Sequence, residues 1–77
     1  MQVGAEMYSV MVQGRATGAY ISLGELNASN DDEAKTAAIK LVKTKLDDLD
    51  LDDWVSVLKE GDEIEPRSTV AQFVRNS

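Results

Sequence analysis

Between Met7 and Gln13 the apolar residues Tyr8, Val10 and Val12 occupy alternate positions, which leaves Met7, Ser9, Met11 and Gln13 on the opposite face. This period of two predicts a strand with one apolar and one mixed face. Gly14-Arg15-Ala16-Thr17-Gly18 follows, bracketed by glycine, and reads as a hairpin loop. A second strand is expected over residues 19–28, AYISLGELNA. Ile21 and Leu23 share one face, and the apolar position then shifts to Leu26. Gly24 stands at that phase change and predicts a bulge or a bend.

The period becomes 3.6 after Asn30. Asn30 is a good N-cap, Glu33 follows at capping-box spacing, and Asp31, Asp32 and Glu33 place anions in the first turn, where the helix dipole favours them. Ala34, Ala38, Leu41, Val42 and Leu49 form one stripe, flanked by Ile39 and Leu46. Lys40, Lys43 and Lys45 lie toward the C-terminal end. Lys45 falls inside the stripe, so either its ammonium snorkels to water or the helix face turns there. Aspartates oppose the dipole at a C-terminus, and the helix is expected to stop at about Leu49. Trp54–Lys59 reads as a third strand and Glu60-Gly61-Asp62-Glu63 as a turn. Ile64-Glu65 opens a fourth strand that Pro66 ends or confines to an edge. In the stretch STVAQFV, Ser68 or Thr69 caps a short helix burying Val70, Phe73 and Val74, or the same residues form a last strand.

The fold class expected is α+β: a small antiparallel or mixed sheet in the order β-β-α-β, then a short C-terminal strand or helix, with one amphipathic helix packed on one face. Residues 1–6 read as a loose leader and residues 7–77 as a single domain. With 77 residues and only Tyr8, Tyr20, Trp54 and Phe73 as aromatics, the core is modest. If one helix covers one face, Met7 and Met11, with Tyr20 beside them, are left exposed on the other and suit a partner or self-association, unless the segment with Phe73 folds over them.

Composition narrows the chemistry. The chain has no cysteine and no histidine, so it lacks a thiolate site, a disulfide, the commonest general base and the commonest metal ligand. There is no 18-residue apolar run and no secretory signal pattern, so a cytoplasmic protein is expected, or a viral or prophage product acting there. Asn27-Ala28-Ser29 matches a glycosylation acceptor by chance in that setting.

Net charge is −6, and it is segregated. Residues 47–65 hold nine acids against Lys59 alone, while the rest of the chain has five acids and seven bases. The densest part, Asp47-Asp48-Leu49-Asp50-Leu51-Asp52-Asp53, carries five carboxylates. As a metal site it supplies oxygen ligands, but an EF-hand loop starting at Asp48 would have Asp53 where glycine is required and Lys59 where a bidentate glutamate is required. As a catalytic pair it lacks any cleft or aromatic platform. If the run is extended, Asp48, Asp50 and Asp52 share one face, while Leu49 and Leu51 enter the core. The helix lysines with Arg15, Lys35 and Arg75 show neither aromatic interleaving nor excess positive charge, so direct nucleic-acid binding is not expected.

Two local resemblances accompany this pattern. The hairpin–helix–strand order resembles the β-grasp proteins, and EGDEIEPRSTVAQF at residues 60–73 is similar to a segment of bacterial thiamin-pathway sulfur carriers. Those carriers end in Gly-Gly, whereas this chain ends Val74-Arg75-Asn76-Ser77, so sulfur transfer does not carry over. GAYISLGEL followed by NDDEAKTAAI resembles the hairpin–helix domain of the HicB antitoxin group, without that group's Pro-rich loop or DNA-binding tail.

The function expected is that of a small acidic, non-enzymatic protein-interaction module, a regulator or inhibitor from a phage or mobile element. Its candidate partner-binding residues are Asp48, Asp50, Asp52, Asp53, Glu60, Asp62, Glu63 and Glu65, facing a protein with a basic surface. No catalytic residue, cofactor or metal ligand is assigned. The alternatives are a divalent-cation-binding protein using Asp47–Asp53, or a structural subunit that self-assembles through the exposed sheet face.

Overall fold

A computed structural model describes residues 6–64 and 66–75. Five strands form one antiparallel sheet: β1 (Glu6–Gln13), β2 (Tyr20–Ala28), β3 (Trp54–Lys59), β4 (Asp62–Glu63) and β5 (Ser68–Thr69). The order across the sheet is β2-β1-β3-β4, with β5 on the same outer edge of β3 as β4. Among the described residues the α-helices are α1 (Asp31–Thr44) and α2 (Val70–Arg75). Among the described residues no helix is long and apolar enough to cross a membrane. Glu6, read with the leader, belongs to β1 and pairs with Ala28. The rest of the leader and Glu65 lie outside the described residues.

The alternation of β1 works as expected. Tyr8, Val10 and Val12 are all at most 1% exposed and face α1, together with Val55 and Val57 of β3. The bulge falls where the phase change placed it. Val10 pairs with Gly24 but Met11 pairs with Ser22, so β2 carries one extra residue there. Gly24 adopts φ +148, and a Cβ at this position would stand 3.5 Å from Leu41 Cδ2. The glycine therefore serves the bulge through its positive φ, while the space toward α1 would admit a Cβ in ordinary contact.

The capping box of α1 forms. Glu33 N–H donates to Asn30 Oδ1 at 2.9 Å, and Ser29 N–H donates to Glu33 Oε1 at 3.2 Å. Ala34, Ala38, Ile39 and Val42 are the buried face, with Leu41 half-buried. The helix ends at Thr44 and not near Leu49. Lys45 leaves helical geometry (φ −110, ψ 12), its N–H bonds back to Val42, and a 3₁₀ turn over Leu46–Asp48 follows. Lys45 is thus exposed because the helix stops before it.

The return along β3 differs in detail from the expected turn and strand. Glu60 (φ 54) and Gly61 (φ 89) both have positive φ, the signature of a two-residue type I′ turn, so Asp62 and Glu63 already pair with Lys59 and Leu58. Pairing stops at Glu63, so the fourth strand lies two residues before the expected start at Ile64, and beyond Pro66 the chain resumes as β5 against Val55 and Trp54. The C-terminal segment is both a strand and a helix. Thr69 ends β5 and caps α2: Gln72 N–H donates to Thr69 Oγ1 at 3.2 Å. Val70 and Phe73 are buried in the same core as α1, so α2 lies on the helix side of the sheet and, among the described residues, no element covers the opposite face.

Candidate functional site

The acidic run is not an extended strand. The 3₁₀ turn over Leu46–Asp48 is followed by a tight turn in which Asp53 N–H donates to Asp50 C=O at 3.1 Å. Two turns in succession break the alternation expected for Asp48, Asp50 and Asp52. Leu49 packs against the core, but Leu51 is 53% exposed, so the expectation that both leucines plug into the core is corrected for Leu51.

This connector is clamped from two sides. The first free N–H groups of α2 donate to its backbone: Val70 N–H to Asp53 C=O at 2.9 Å and Ala71 N–H to Leu51 C=O at 3.2 Å. Asp53 Oδ1 accepts the Arg15 N–H of the β1–β2 loop at 3.0 Å. Asp53 is the half-buried member of the run, whereas Asp47, Asp48, Asp50 and Asp52 are exposed. Between the connector and the β1–β2 loop lies an open cleft of about 470 Å³, lined by Arg15, Ala16, Asp50, Leu51, Asp52 and Asp53. Among the described residues no three carboxylates converge as a group that could hold a metal ion.

The remaining candidate acids lie elsewhere. Asp53 precedes β3 and Glu60 follows it, and seven residue steps at ~3.3 Å each put them on the order of 20 Å apart. Glu60 and Asp62 are exposed at the far end of the sheet. There Lys59 Nζ pairs with Glu6 Oε2 at 2.7 Å, and the buried Tyr8 hydroxyl donates to Asp31 Oδ1 at 2.8 Å. Burial, reinforced by that hydrogen bond, raises the Tyr8 pKa, and the Glu6 carboxylate raises that of Lys59. Glu63 is on the uncovered face, where it accepts from Ser56 Oγ at 2.9 Å. The predicted acidic residues that the structure describes therefore divide between two ends and one face.

Sequence reasoning assigned no role to Arg67 or Trp54. The register arranges the uncovered face in rows across the sheet: Tyr20–Gln13–Trp54–Thr69, then Ser22–Met11–Ser56, then Glu25–Ser9–Leu58–Glu63. Arg67 lies over the Trp54 ring, 5.3 Å from its centroid, and donates from Nη1 to Gln13 Oε1 at 2.6 Å. Met7 and Tyr20 on this face are 50% and 60% exposed. The alternation of β1 foreshadowed the methionines, but the position of Arg67 depends on how the chain passes Pro66. No protein-family description, curated protein or solved structure matches this chain.

Proposed function

We propose that this protein is a non-enzymatic interaction module that binds a basic protein partner through the connector end, in the manner of a regulator or inhibitor carried by a phage or mobile element. One observation supports this reading above the others. Leu51 is exposed between Asp50 and Asp52 on a loop whose backbone is held by α2 and whose Asp53 is held by the β1–β2 loop. An apolar contact ringed by carboxylates on an anchored backbone suits a basic surface, because the loop loses little entropy on binding and its charge steers encounter. Glu60, Asp62 and Glu63 are too distant to join the same contact and add only to the long-range field. The histidine- and cysteine-free composition accords with binding rather than catalysis.

The test substitutes Asp48, Asp50 and Asp52 with Asn and leaves Asp53 in place, since it holds the loop. Binding to basic partners recovered with the wild type should weaken in the variant and with added salt. Affinity unchanged by both would refute the reading. A second reading, self-association through the uncovered sheet face, is supported by the exposure of Met7 and Tyr20.

A further inference from the structure

We propose that the uncovered face pairs with a second copy of this chain, the two sheets stacking face to face about a twofold axis that crosses the strands near Met11. The proposal rests on the self-association reading above and adds to it the register of the two copies.

The charge layout of the face selects this register. A closed dimer uses the same patch on both copies, and of the twofold axes in the plane of the face, those along and across the strands keep the two sheets aligned, as in face-to-face sandwiches. An axis along the strands keeps each row opposite itself and exchanges the two sides of the sheet. Glu25, at the β2 side of its row, would then meet the partner's Glu63, and Arg67 would meet the partner's Tyr20. Like charges would be opposed, which disfavours that arrangement. An axis across the strands reverses the rows and keeps each strand over its counterpart. Arg67, held over Trp54 in the first row, then faces the partner's third row, where Glu63 stands beside Leu58 on the same side of the sheet. Trp54 comes over the partner's Leu58, and Met11 over the partner's Met11. Each charged contact occurs twice by symmetry. The small Ser9, Ser22 and Ser56 between these residues allow the sheets to approach to the ordinary spacing of ~10 Å, crossing at about 30°.

The contact is small. From Met7 to Gln13 the face runs ~20 Å, and three strands span ~10–15 Å, so each copy contributes on the order of 200–300 Å² of flat face. That is well under the ~800 Å² per partner of a standard interface, so the dimer is weak and reversible.

Sedimentation equilibrium of the full chain at low salt, up to about 1 mM, tests the proposal at the concentrations a small interface requires. The wild type should show a monomer–dimer equilibrium. R67E and E63R should each weaken it by roughly tenfold or more, and their equimolar mixture should recover it, because every 67–63 contact is again of opposite sign. M11E should be monomeric with an unchanged circular dichroism spectrum. A wild type that remains monomeric throughout overturns both the register and the self-association reading. A wild-type dimer that survives M11E, or one that R67E and E63R weaken without recovery in the mixture, overturns the register and leaves self-association standing.

Discussion

Replacing Asp53 with Ala removes the carboxylate that joins the acidic connector to the β1–β2 loop, and its effect can be worked from the structure. Asp53 Oδ1 accepts the Arg15 N–H at 3.0 Å. Arg15 is exposed, so water can replace the lost acceptor and no buried donor is stranded. The net loss is then that of an ordinary hydrogen bond, about 0.5–1.5 kcal/mol. In a domain of this size each kcal/mol corresponds to roughly 4–8 °C in Tm, which gives a drop of about 2–12 °C in a thermal melt followed by circular dichroism. Asp53→Asn keeps a carbonyl oxygen for the Arg15 N–H and should melt within about 2 °C of the wild type. The α2 contacts use the backbone carbonyls of residues 51 and 53 and persist in both variants. Equal melting of D53A and the wild type, or D53N falling as far as D53A, would refute the view that Asp53 acts as an acceptor holding the loop.

Asn30→Ala and Thr69→Ala each remove a helix cap seen in the structure and should cost about 1 kcal/mol apiece in urea denaturation. Gly24→Val places a branched side chain at φ +148 and against Leu41, and should cost at least ~1–3 kcal/mol in the same assay. The pH dependence has a definite sign. Tyr8 and Lys59 both have pKa values raised above 10.0 and 10.5, so each holds its proton more tightly when folded. Their contribution is complete below those values and is lost as pH rises through the folded pKa values, so the urea midpoint should fall above about pH 10. Tyr8→Phe should flatten that fall.

The elements set by local spacing were legible in the residues themselves. The Tyr8-Val10-Val12 alternation, the Asn30–Glu33 box and the Gly24 phase change each have a short-range physical cause, and each formed. The end of α1 was obscured because Leu46 and Leu49 continue the apolar stripe, although a 3₁₀ turn carries them to the core equally well. The two clamps of the connector, Val70 to Asp53 and Ala71 to Leu51, are backbone bonds between segments remote in sequence and carry no residue-type signal. Without them the exposure of Leu51 could not be foreseen. The division of the acids was partly legible, since a six-residue strand between Asp53 and Glu60 already separates them by its length. The identity of the covered face rested on where Phe73 would pack, and the Thr69–Gln72 cap that directs it belongs to a segment readable as strand or helix.

The central claim, that the connector end is the contact surface for a basic partner, is tested most directly by nuclear magnetic resonance. Isotopically labelled protein would be titrated with an Arg- and Lys-rich peptide containing leucine, at two salt concentrations. The predicted result is saturable amide shifts confined to Arg15, Ala16 and Asp47–Asp53, with affinity falling as salt rises. Shifts centred instead on Glu60–Glu63, or spread evenly over all exposed acids, would contradict it.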